Sequence, residues 1–365
     1  MERKNYTEPD IDFLNYLKTD CGPALSVCMQ CGSCSAVCDN SPEKDPYPRK
    51  EIMWASWGLK DKLIGDPDIW LCHNCGDCTS SCPRDVRPGD VIASIRTYSY
   101  LFYARPRFLA KWLHSPKYLP LIILFPALII CGIISIAGTF NIPDGPVNYS
   151  NFFPHAWLNG SFSVIVLITV LFTLSGIRKF ITDMRRNTKH LTSENKKNAF
   201  SIFMKIFKHS DFRNCNTNRF RSTAHLLVFW GFGLLLLVTS FAILAVIFFD
   251  YPMNFLHPVK IAGNVGGLAL IIGCTIMIVQ KLKDKNNSKG NTGYTEWLFL
   301  ISLLLLTLSG IFVEMARFQN WDIAYHLYFI HLVLVWMVVI YVPYSKFAHI
   351  IFRTIAMVYT GNKGR

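Results

Sequence analysis

Charge is scarce in this 365-residue chain, and acid is scarcer than base. Charged residues make up 17% of it, with 37 Lys and Arg against 24 Asp and Glu, while 51% is hydrophobic. That is too apolar for an ordinary soluble protein. A net charge of +13 would suit a nucleic-acid binder. The basic residues instead sit mainly between apolar runs, where membrane topology puts them, so no nucleic-acid partner is expected. A glycine loop for phosphate after a predicted strand is also missing. Gly263-Asn264-Val265-Gly266-Gly267 lies inside an apolar run, where it suits close approach of helices. No secretory signal precedes the cysteines, because Met1 to Asp20 contains acids and no apolar core. The cysteine-bearing part is therefore expected in the reducing cytoplasm.

Cysteine is present in a pattern. Eight of the twelve form two similar runs, Cys28-x₂-Cys31-x₂-Cys34-x₃-Cys38 and Cys72-x₂-Cys75-x₂-Cys78-x₃-Cys82-Pro83. A [4Fe–4S] cube needs four thiolates, and in two-cluster ferredoxins the fourth cysteine of each run serves the other cluster. Crossed ligation is thus expected: Cys28, Cys31, Cys34 and Cys82 for one cluster, and Cys72, Cys75, Cys78 and Cys38 for the other. Structural zinc brings its ligands in pairs and cannot use three cysteines in seven residues twice over. Disulfides are disfavoured by runs this dense. Cys21, Cys131, Cys215 and Cys274 read as ordinary thiols.

Six stretches are long and apolar enough to span a bilayer: about 119–139, 160–178, 224–249, 259–280, 296–316 and 325–351. The expected fold is all-α, with a helical two-cluster ferredoxin domain (1–98), an interfacial linker (99–118), a six-helix transmembrane haem b bundle (119–352) and a tail (353–365). The linker interleaves Tyr100, Tyr103, Arg105, Arg107, Lys111 and Trp112, which suits either the membrane interface or packing on the ferredoxin domain. Twelve Lys and Arg lie in 178–222, and Lys281, Lys283, Lys285 and Lys289 follow the fourth span, whereas 140–159 and 250–258 carry none. The positive-inside rule then places the ferredoxin domain and both termini on the cytoplasmic side of the cell membrane.

Among ten histidines, His73, His190 and His209 read as solvated. His225, His331 and His349 fall within or at the ends of apolar runs, where ionisable side chains are costly and functional. On one straight helix His331 and His349 would share a face about 27 Å apart, less if Pro343 kinks it. His225 begins its span level with His349, so the two imidazoles pair as axial haem b ligands.

His331-Leu-Val-Leu, followed by Pro343-Tyr-Ser-Lys-Phe-Ala-His349-Ile, resembles the last ligand helix of the respiratory nitrate reductase gamma subunit family, which is a dihaem b quinol oxidase. The resemblance implies that His225 and His349 hold an inner haem and that His331 is a ligand of an outer one. The second outer ligand would fall at Leu235, which cannot bind iron. His257 is the preferred substitute, with His155 as the alternative, while His326 lies about 140° round the helix from His331. The cysteine half resembles the small iron–sulfur subunit of heterodisulfide reductase, although Asp39 stands where proline often follows the first run. The fusion of these two halves is similar to the membrane subunit with that layout in quinone-interacting membrane-bound oxidoreductase complexes.

That resemblance implies electron transfer between menaquinone and two flavin- and iron–sulfur-containing partner subunits, with adenylylsulfate reductase as the acceptor in sulfate respiration. Two further readings are a heterodisulfide-reductase-type subunit serving a thiol–disulfide enzyme, and a non-redox membrane anchor. Lys260, three residues after His257, runs against the positive-inside bias and is the expected quinone-binding residue. Its alternative is a lysine snorkelling to the headgroups.

Overall fold

The computed structural model describes residues 8–42, 45–188, 199–208, 219–248, 254, 256–286 and 293–361. His190, His209 and Cys215 lie outside them. Among the described residues every regular element is helical and there is no strand, in keeping with the all-α expectation.

The N-terminal half begins with α1 (Ile11–Cys21), whose first turn is capped by Asp10 Oδ1 accepting from the Phe13 amide at 2.8 Å. One-turn helices carry the third cysteine of each run, α2 (Ser33–Ala36) with Cys34 and α6 (Asp77–Ser80) with Cys78. Between them lie α3 (Arg49–Ser56), α4 (Lys60–Ile64) and α5 (Asp68–Leu71). The long α7 (Pro88–Tyr103) closes this half, so the expected boundary at 98 falls within a helix. Its core gathers Phe13, Leu17, Ile52, Trp70, Val91 and Ile95, all essentially inaccessible.

A charge cluster sits beside that core. Lys50 lies within 4.0 Å of carboxylate oxygens of Asp45, Glu51, Asp66 and Asp68, and Glu51 is fully buried. Burial first, and then the charge of Asp66, pushes the Glu51 carboxyl up to about 8. A carboxyl raised in this way stabilises the fold fully below its unfolded value near 4.5, and that stability is lost as pH rises through 8. Lys50→Met should leave buried acids without their cation and destabilise the domain by about 3–5 kcal/mol. Chemical denaturation of the two proteins near neutral pH checks this.

The second half contains α8 (Arg107–Leu113), α9 (Leu119–Ile136), the short α10 (Tyr149–Phe152), α11 (His155–Asn187), α12 (Ala199–Lys208), α13 (Arg219–Phe248), α14 (Pro258–Asn286), α15 (Tyr294–Phe318), α16 (Ala324–Tyr341) and α17 (Ala348–Gly361). Six helices among the described residues are long and apolar enough to cross a membrane. Many of their aliphatic side chains face outward, as lipid-facing helices require; Leu237 and Leu128 are each 68% exposed. The linker helix α8 buries Leu109, Ala110 and Leu113 in the bundle core, not in the core of the cysteine domain. Helices α13 and α14 cross closely, because a Cβ on Gly266 would meet the Gly231 carbonyl at 3.2 Å and one on Gly273 the Ala224 carbonyl at 2.9 Å.

Two departures from expectation matter for the site. First, His331 and His349 are not on one helix. Pro343 breaks the run, and a 3₁₀ turn at Val342–Tyr344 separates α16 from α17. The two histidines therefore share no helix face. Second, 353–361 is helix, not tail, and it packs on the cysteine domain. Phe352 stacks on Trp70 with centroids 4.9 Å apart and meets Phe180 edge-on at 5.0 Å. Helix α11 likewise runs past the apolar stretch: Tyr103 donates to Asp183 at 3.1 Å, and Asn187 donates to the Asp61 carbonyl at 2.7 Å. Each aromatic side chain buried there contributes about 1.5–3 kcal/mol, which ties the two halves into one unit.

Candidate functional site

The cysteine runs adopt the same local form 44 residues apart (28 to 72, 34 to 78). Gln30 and Gly32 have φ of 57° and 86°, and Asn74 and Gly76 have 52° and 94°. These left-handed turns curl each C-x₂-C-x₂-C loop so that three sulfurs face inward. One cavity is lined by Cys28, Cys31 and Cys34 together with Cys82; the other by Cys72, Cys75 and Cys78 together with Cys38. The cysteines thus come together in the crossed combination.

The surroundings fit iron–sulfur clusters. None of the eight cysteines forms a disulfide. Donors face the sulfurs: the Asn74 amide reaches Cys72 Sγ at 3.2 Å, the Val86 amide Cys82 Sγ at 3.4 Å, and Gln30 Nε2 Cys28 Sγ at 3.4 Å. Such hydrogen bonds stabilise cluster sulfur and tune potential. In the first cavity Cys31 is exposed and Met29 is 64% exposed. In the second all four cysteines are half-buried, and burial pushes the Cys78 thiol up to about 12. Cys21 lines neither cavity; burial raises its thiol to about 11.

His73 is not solvated as expected. It is packed beside Arg353, whose Nη2 lies 3.1 Å from His73 Nδ1, and burial, then the arginine charge, lowers its pKa to about 3. Arg353 Nη1 also donates to the Cys72 carbonyl at 3.0 Å, and Arg96 Nη2 donates to the same oxygen at 2.6 Å. Two guanidinium groups therefore converge on the second cysteine run.

His349 lies in the first turn of α17, one turn before Arg353. Its ring faces His225 of α13 with centroids 6.1 Å apart. Two metal–imidazole bonds of about 2 Å plus the two half-rings span roughly 6 Å, so the spacing fits a bis-histidine iron. His349 Nδ1 is held by the Lys346 carbonyl, and Lys346 Nζ is held by Glu296, which also binds Lys281. A ligand histidine is oriented in this way through its other nitrogen.

His331 lies in the half of the bundle remote from the cysteine domain. Its Nδ1 is 2.9 Å from Ser309 Oγ, and an added Cβ on Gly310 would come within 3.2 Å of its ring. No contact between His257 and His331 is found among the described residues. Lys260 pairs with Glu314, five residues beyond Ser309, and His257 lies three residues further out still. By helix rise that sets His257 about 12 Å beyond His331 along the axis, and its Nδ1 accepts from the Val259 amide at 3.3 Å instead. His155 opens α11. Arg353, Ser309, Glu296 and Glu314 were not singled out from the sequence. Only the charge of Glu296 and Glu314 inside apolar runs signalled them.

Residues 115–364 match the citrate utilization protein B family. The chain belongs to that family. Residues 24–86 match the 4Fe-4S dicluster domain, so the crossed cavities lie in a two-cluster iron–sulfur domain. Citrate utilization protein B of Escherichia coli is 22% identical, over 97% of this chain and 92% of that protein. One subunit of the H(2):CoB-CoM heterodisulfide,ferredoxin reductase of Methanothermobacter marburgensis is 39% identical over 24% of this chain, and a protein of Archaeoglobus profundus that is itself like a heterodisulfide reductase subunit is 40% identical over 20%. These matches span only 47% and 39% of those two proteins. No solved structure matches.

Proposed function

We propose that this chain is the membrane electron-transfer subunit of a quinone oxidoreductase, linking menaquinone to cytoplasmic partner subunits through haem b and two [4Fe–4S] clusters. Cys28, Cys31, Cys34 and Cys82 hold one cluster, and Cys72, Cys75, Cys78 and Cys38 the other. His225 and His349 hold the inner haem, and His331 contributes to an outer one. Bound there, haem iron and cubane clusters each exchange one electron at a time.

One observation carries this reading. Helix α17 bears His349, which faces His225, and one turn later Arg353, which touches the carbonyl of Cys72. A short rigid segment thus joins the candidate haem ligands to the second cysteine set. The first set, with Cys31 exposed, suits exchange with a soluble partner. The basic 178–222 and 281–295 segments support a cytoplasmic position for this domain. Likeness to heterodisulfide reductase subunits supports membership of a multi-subunit complex; flavin- and iron–sulfur-containing partners, with adenylylsulfate reductase as acceptor, are part of the proposal. The full-length likeness to citrate utilization protein B favours a second reading, in which the same electron path serves a reaction of citrate utilisation.

The test uses the full-length protein, purified without oxygen and mixed with a short-chain menaquinol. A b-type absorption should appear first, and bleaching of the broad iron–sulfur absorbance should follow. If neither change occurs, the chain is a membrane anchor and not a carrier. Arg353→Ala should leave the first change intact and slow the second severalfold, as stopped-flow absorbance can read.

A further inference from the structure

Three phenylalanines of α12 face outward. Phe200, Phe203 and Phe207 are 68%, 54% and 37% exposed, whereas Ile202 between them is only 4% exposed. At about 100° per residue the three rings fall within an arc of roughly 60°, and Lys205 lies almost opposite them. The helix packs against α17, and Lys205 lines the second cysteine cavity. Lys205 and Lys208 are its charged residues, and it contains no acid.

The phenylalanine face runs into an exposed stripe of a candidate span. Phe207 meets Trp230 of α13 edge-on with ring centroids 4.3 Å apart, and Trp230 is itself 42% exposed. Trp230 belongs to a helix long and apolar enough to cross a membrane. Leu237 and Leu244, seven and fourteen residues later, continue the same face of that helix and are exposed too. Tryptophan at the head of such a stripe suits the membrane–water interface.

We propose that α12 lies in the plane of the bilayer surface on the cysteine-domain side, with its phenylalanines among the acyl chains and Lys208 at anionic lipid head groups. A helix with an aromatic face, basic residues and no acid has the composition of an interfacial helix. Lys208 lies to one side of the phenylalanine arc, so its stem follows the apolar face while its ammonium reaches the head groups. The stripe on α13 favours lipid over a protein partner as the occupant. Trp230 and the leucines beyond it are exposed on a candidate span, and α12 extends that surface through the Phe207 contact. With Lys205 on the far side of the helix, the second cysteine cavity stands one helix diameter, about 10 Å, from the membrane surface.

The experiment places the photoreactive residue benzoylphenylalanine at Phe203, at Ser201 on another side of α12, or at Leu237 on the span, each in the full-length protein in cell membranes. After irradiation, mass spectrometry separates lipid adducts from protein adducts. Phe203 and Leu237 should both capture lipid, and Ser201 severalfold less. Phe200, on the same face, gives a second position should the Phe203 variant fail to fold. In nanodiscs, exchanging phosphatidylglycerol for phosphatidylcholine should lower the lipid yield at Phe203 about fivefold, the factor that one lysine near an anionic surface contributes. Lys208→Gln should remove that dependence. Lipid capture at Leu237 without capture at Phe203 or Phe200 overturns the proposal. So does an adduct at Phe203 made chiefly to another polypeptide, which would make this face a subunit contact. A yield indifferent to head-group charge overturns the assignment of Lys208 to anionic lipid.

Discussion

Cys82→Ser is expected to eliminate the cluster associated with the first cysteine run, although Cys82 belongs by sequence to the second. Its sulfur lines the cavity of Cys28, Cys31 and Cys34 and receives the Val86 amide at 3.4 Å. With two cubane clusters the wild type should contain about eight non-haem irons per chain, and the variant about four. Cys38→Ser should produce the complementary loss, leaving the cluster of the first run in place. Iron analysis combined with electron paramagnetic resonance of the reduced protein distinguishes the two. If Cys82→Ser instead removes the signal that Cys72→Ser removes, ligation is not crossed and each run serves its own cluster.

His225→Ala and His349→Ala should each abolish the same b-type haem signal, and the double variant should lose nothing more. The rings face one another at 6.1 Å from different helices, so removing either leaves iron with a single axial imidazole. His331→Ala should leave this signal intact and remove a separate one. Low-temperature visible spectra of reduced membranes resolve these outcomes. Loss of different signals from the two single variants would refute the pairing. Glu296→Gln should have a smaller effect, because Glu296 acts through Lys346, whose carbonyl orients His349.

Much of the site was legible because it is local. The three cysteines of each run lie within seven residues, and glycines fit the left-handed turns at 32 and 76, so spacing alone specified cubane binding. The six apolar runs were readable because hydropathy accumulates along a span of some 20 residues and needs no partner. The pairing of His225 with His349 came from equal depth, and the two rings do meet. The continuous helix carrying His331 and His349 was a misreading. Pro343 signalled a kink, but whether a proline bends or breaks a helix depends on what packs around it.

The sequence by itself determined the composition of each half: thiols grouped for iron, apolar runs fit for lipid, and histidines placed among those runs. Only the tertiary structure decided how the halves connect. Arg353 and Cys72 are 281 positions apart, and Lys260 and Glu314 are on separate helices, so no spacing rule joins them. His73 became half-buried, and Phe352 stacked on Trp70, because the C-terminal helix folds back onto the cysteine domain. The physical reason is range. Periodicity and ligand spacing act over a few turns of chain, whereas these contacts exist only after the helices have packed and removed the intervening water.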